Sequence, residues 1–94
     1  MSTETVERTD LQGADASEQE SWMVVVYNND HNTYDEVMMI LMIATHCTVD
    51  EAEIETWEVD HLGKSCVHFA DKDECETVAR IIRQIGIEVE VKSE

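Results

Sequence analysis

The chain has 94 residues, 43% of them hydrophobic, and a formal net charge of −16. That length supports one small domain with a single core and leaves no room for a second. The charge excludes a nucleic-acid backbone or an anionic membrane surface as partner and favours cationic ligands or basic protein surfaces. The three cysteines, Cys47, Cys66 and Cys75, are odd in number and form no CxxC pair. This argues against a disulfide framework or a zinc knuckle and fits the reduced thiols of a cytosolic protein. No apolar run is long enough to span a bilayer, and the first residues hold no hydrophobic signal core. The expected location is the cytoplasm.

Residues 1–21 read as a disordered acidic arm. The first twenty hold six acids against one base, Arg8, with Val6 and Leu11 the main apolar residues. Such a segment buries too little surface to offset the entropy of ordering it. The folded domain is expected over residues 22–94. It opens with a strand, Trp22 to Tyr27, whose unbroken valines predict a central, buried position. The strand breaks into the polar run Asn28, Asn29, Asp30, His31, Asn32, Thr33. Asparagine and aspartate favour turns for backbone reasons of their own. They also place hydrogen-bonding groups at the edge of a core, where small polar ligand groups are held.

Thr33 with Glu36 forms a capping box and starts the first helix. From Val37 to Ala44 that helix is apolar all round, which predicts cover on most sides. Its methionines, Met38, Met39 and Met42, suit core filling or an adaptable pocket wall. His46 and Cys47 end it. Thr48 with Glu51 is a second capping box and opens a more acidic helix, Val49 to about Val59. Its expected inward residues are Thr56 and Trp57, with Ala52 or Glu53 a turn earlier. Asp60 and His61 close it, and Gly63 suits the left-handed residue past its end.

Lys64 to Phe69 reads as a second strand. Asp71 with Glu74 repeats the capping pattern, and Cys75, Val78, Ala79, Ile82 and Ile85 follow at helical spacing. Gly86 stops that helix. Ile87 to Val91 alternates strictly and reads as a strand with isoleucine and valine inward and glutamates in water. The order β-α-α-β-α-β predicts a small two-layer α/β (α+β) domain, a three-stranded antiparallel sheet packed against three helices.

Cys66 and His68 fall on one face of the second strand, but zinc needs three or four convergent ligands and the spacing matches no established signature. Nothing orders a cysteine and a histidine into a nucleophile and its base, and acidic surroundings raise a thiol's pKa. No metal, cofactor or catalytic residue is expected.

The run VVVYNNDHNT, the apolar helix after it, the helix ending EVDHLGKSC and the terminal IEVEV strand resemble the ClpS family, adaptors of the ATP-dependent Clp protease. The resemblance covers about Trp22 to Val91. It implies the element order derived above and a function that composition does not carry. ClpS adaptors are not enzymes. They bind the exposed N-terminal residue of a substrate protein, typically Leu, Phe, Tyr or Trp (the N-end rule), and deliver it to a Clp AAA+ ATPase.

By that resemblance the α-amino group is held at Asn28, Asn29, Asp30 and Asp60. The pocket wall falls on Asn32, Tyr34, Val37, Met38, Leu41, Thr56, Val59 and Ile87. Three positions depart from the family pattern. Asn29 stands where an aspartate is usual, Asp60 where a histidine is, and Tyr34 where a gatekeeping methionine is. His61, one residue late, should point elsewhere, about 100° round the helix. A carboxylate at Asp60 suits a cation at least as well as an imidazole, with Asn28 and Asn29 as neutral acceptors. Tyr34 narrows the pocket toward slimmer residues or stacks on an aromatic one. The implied partners are substrate N-termini and the N-terminal domain of a Clp ATPase, with the adaptor a monomer. The competing expectation is a module of the same fold that docks on the ATPase without reading N-termini, since fold alone does not fix function.

Overall fold

The computed structural model describes residues 21–94; all of the expected N-terminal arm but Ser21 lies outside these residues. The strands are β1 (Trp22–Tyr27), β2 (Lys64–Ala70) and β3 (Val89–Ser93), and the helices α1 (Tyr34–Thr45), α2 (Val49–Leu62) and α3 (Lys72–Arg83). The sheet is antiparallel with order β2-β1-β3. β1 is central, as its valines require, with Val24 and Val26 fully buried against the helices.

Local chemistry sets the helix starts. Thr33 and Thr48 each accept a backbone N–H from Glu36 and Glu51, whose carboxylates accept the cap N–H in return. Such caps contribute about 1 kcal/mol each. Asp71 caps α3 by accepting from the Glu74 N–H, 2.8 Å. The Glu74 side chain does not complete the box, because it lies 2.6 Å from His68 Nε2 instead.

The core gathers Val24 and Val26 of the sheet, Leu41 of α1, Val59 of α2, and Val78 and Ile82 of α3. Ile87 joins it at 3% exposure although β3 begins two residues later. Four expectations need correction. α1 is covered on one side only: Val37, Ile40, Leu41 and Ala44 are buried, but Met39 and Ile43 are more than half exposed. A two-layer domain has nothing to lay over that side. α2 extends to Leu62, so Asp60 and His61 belong to its last turn. Its inward stripe is Ala52, Thr56 and Val59, while Glu53 and Trp57 face out.

The fourth correction concerns β2. Val25 pairs with Cys66 but Val24 pairs with His68, a register shift that makes Val67 an extra residue. Directly opposed residues share a face, so the bulge puts Cys66 and His68 on opposite faces of the sheet. A strand-borne Cys-x-His pair does not exist here.

Candidate N-terminal-residue pocket

The C-terminal ends of β1 and α2 meet at the site. β1 stops at Tyr27, and the Asn28 N–H donates to the Gly63 carbonyl, 2.9 Å. Gly63 itself sits at φ +92°, a backbone state that glycine adopts without a steric penalty. That left-handed turn reverses the chain after α2 and ties its C-terminal end to the start of the polar turn. Asn28 and Asp60, 32 residues apart in sequence, therefore line one cavity.

The turn is held by its own amides. The Asn29 Oδ1 accepts from the His31 N–H at 3.2 Å and the Asn32 N–H at 3.1 Å. The Asn29 Nδ2 donates to Asn32 Oδ1, 2.8 Å. The Asn32 Nδ2 donates to the Ile85 carbonyl, 2.8 Å, and to Glu36 Oε1, 3.2 Å. This network lashes the turn to the end of α3 and to the α1 cap. Glu36 is held below the usual carboxylate range, chiefly by the Thr33 N–H and then by the Asn32 amide.

The cavity is small, about 20 Å³. Val37 and Val59 form its apolar side, both nearly buried. Asn32, Thr33 and Asn28 form its polar rim. Thr56, 2% exposed, lies on its α2 wall, and Asp60 stands one turn along the same helix. The Asp60 side chain is 56% exposed, so its carboxylate stays at the solvent edge. Tyr34 closes the remaining side, its phenol donating to the Glu53 carbonyl, 3.2 Å. Desolvation, then the charges of Glu53 and Asp60, push that phenol above its ordinary pKa and keep it a donor.

Across the Tyr34 ring lies a wider groove of about 390 Å³, formed with Ile54 and Trp57 on the outer side of α2. His61 belongs to that side. Its ring stacks on Trp57 at 4.4 Å and its Nδ1 lies 3.0 Å from the Trp57 carbonyl. Its ring is not part of the cavity lining, but its Nδ1 also lies 3.5 Å from Asp60 Oδ2.

Of the residues expected at the site, the structure brings together Asn28, Asn32, Tyr34, Val37, Thr56, Val59 and Asp60. Asn29 and Asp30 do not line the cavity; the Asn29 carbonyl oxygen is already spent on two backbone N–H groups. Met38, Leu41 and Ile87 pack in or against the core instead. Thr33 lines the cavity, although the sequence marks it only as a helix cap. Among the described residues no group of three or more His, Cys, Asp or Glu is placed to hold a metal ion. No helix among them is long and apolar enough to cross a membrane.

Comparison with known proteins follows the same line. The family model described as "ATP-dependent Clp protease adaptor protein ClpS" matches residues 17–90. A solved structure of Agrobacterium tumefaciens ClpS2 bound to L-phenylalaninamide superposes with a TM-score of 0.76 at 17% identity. It covers 81% of this chain and 99% of that one, a likeness of fold. The E3 ubiquitin-protein ligase ubr-1 of Caenorhabditis elegans is 34% identical over 59 residues. That stretch is 63% of this chain and 3% of the ligase, so the chain spans a very small part of that relative. With a family match running from the end of the acidic segment to the last strand, the chain belongs to the ClpS family of Clp protease adaptors.

Proposed function

We propose that this chain captures proteins by their free N-terminal residue and presents them to the N-terminal domain of a Clp AAA+ ATPase. The carrying observation is that Asn28, after β1, and Asp60, in the last turn of α2, share one cavity with an apolar wall. A protonated α-amino group needs acceptors and negative potential. The Asp60 carboxylate supplies both and the Asn28 amide oxygen supplies an acceptor. A hydrogen bond to an ionised partner is about twice as strong as a neutral one. Asp60 thus does the work that the family assigns to histidine, while Asn29 acts through the turn it holds rather than on the ligand. Asp30, exposed beside the rim, adds long-range attraction.

The ligand of the Agrobacterium relative supports this reading. Phenylalaninamide is a free α-amine, an aromatic side chain and an amide, which is the chemistry of a polypeptide's first residue. Bulky hydrophobic first residues are the expected class here, in a monomeric adaptor of the cytoplasm. Admitting one requires the Tyr34 ring to swing from the Glu53 carbonyl, because about 20 Å³ holds little more than a water molecule.

That narrowness favours a second reading, in which the domain docks on the ATPase without reading N-termini. Titration with a fluorescent peptide that begins with Leu or Phe, and with its N-acetylated twin, separates the two. The free peptide should bind and the acetylated one should not. Equal affinity for both, or for neither, removes the amino-group mechanism.

A further inference from the structure

The pocket holds one buried group that capture of the α-amine does not use. The Thr56 hydroxyl is buried and has no hydrogen-bond partner, in a residue only 2% exposed. A threonine within a helix commonly donates back to the carbonyl four residues earlier. Thr45 does so to Leu41, 2.9 Å, and Thr77 to Asp73, 3.1 Å. Thr56 makes no such bond with Ala52, so its buried hydroxyl stays unpaired in a residue that lines the cavity. Resting on the N-terminal reading above, we infer that Thr56 reads the tip of the first side chain and favours tyrosine over phenylalanine.

The geometry of α2 gives the reason. Asp60 and Thr56 are four residues apart on one helix face, so Thr56 stands about one turn, ~5.4 Å, deeper than the carboxylate that meets the amine. A side chain entering past Val37 and Val59 brings its far end toward Thr56. A phenol there gives the hydroxyl a partner. A phenyl ring leaves it as it is in the free protein, buried and unpaired, so only the phenol gains a bond. Both rings must displace Tyr34 from the Glu53 carbonyl, so that cost cancels between them and the single oxygen decides.

The test uses the full chain and three peptides that differ only in residue one: Tyr, Phe or Leu. The wild type should bind the Tyr peptide about tenfold more tightly than the Phe peptide. Thr56→Val, which removes the hydroxyl at nearly constant shape, should bring the Tyr and Phe peptides to parity. Its thermal midpoint should hold or rise, since an unsatisfied hydroxyl has gone. Thr56→Ser should keep the preference, and Thr56→Ala repeats the deletion should valine disturb packing. Binding of all three peptides with no preference for Tyr in the wild type, or with a preference that survives Thr56→Val and Thr56→Ala, overturns this inference alone. Failure of every peptide to bind overturns it together with the N-terminal reading.

Discussion

α1 and α2 begin alike and end in different service. Both open with a threonine–glutamate capping box and they lie next to each other in the fold. α1 is almost wholly apolar, buries Val37, Ile40, Leu41 and Ala44, and still leaves Met39 and Ile43 in water. α2 carries acids through its length and buries Ala52, Thr56 and Val59. Hydrophobic content therefore does not decide which helix face is covered; the sheet and the neighbouring helices do. The helix with least core to supply is free to supply chemistry. Thr56 and Asp60 come from α2, whereas α1 gives the cavity Val37 and Tyr34.

The division can be broken from either side. On the α1 side, Leu41→Ala should cost the largest amount, about 2–5 kcal/mol, because a fully buried leucine leaves both lost transfer energy and a cavity. Urea denaturation reads this directly; a loss below about 1 kcal/mol would mean that the core is not organised on α1. On the α2 side, Asp60→Ala should leave the urea midpoint nearly unchanged, since its side chain is 56% exposed and exposed substitutions shift stability little. Peptide affinity should fall by about ten- to a hundredfold, the worth of a hydrogen bond to a charged group. A variant that binds as well as wild type would make Asp60 a solvated helix-end residue with no part in binding.

The element order was legible because the helix starts and the end of α2 carry their own chemical marks, caps at Thr33, Thr48 and Asp71 and the left-handed Gly63, whereas α3 ends at Arg83, three residues before the expected stop at Gly86. The stripe of α3 was legible because its apolar residues occupy one face. α2 was not, since Ile54, Trp57 and Val59 lie on different sides of the helix and periodicity cannot choose among them. Stacking with His61 gives Trp57 a partner outside, and the smaller Thr56 takes the inward place. The bulge at Val67 left no sequence signal, because Lys64 to Ala70 does not alternate strictly and so shows no break where the phase shifts. The family resemblance put Asn28 and Asp60 in one pocket. It could not tell that Asn29 turns its oxygen into the loop, nor that Leu41 and Ile87 serve the core rather than the cavity.

α2 also allows a smaller and sharper test through Glu55. Half-buried, with one carboxylate oxygen unpartnered, it is pushed from 4.5 to about 7 by burial first and then by the charges of Glu51 and Glu58. Cys66 of β2 lies near enough to feel the Glu55 charge. The raised value fixes the sign. Between about 4.5 and 7 the folded chain holds a proton that the unfolded chain has released, so stability falls as pH rises through that window. Below the window the penalty is absent, and above it the penalty is complete. Partial exposure screens the effect, which should not exceed about 1 kcal/mol. Glu55→Gln should therefore match the wild type near pH 4 and exceed it by that amount near pH 8. Thermal unfolding of both proteins across this range measures the difference, which cancels the repulsion among the remaining acids. A gap that stays constant with pH would mean that Glu55 titrates in water and that α2 does not press it against the sheet.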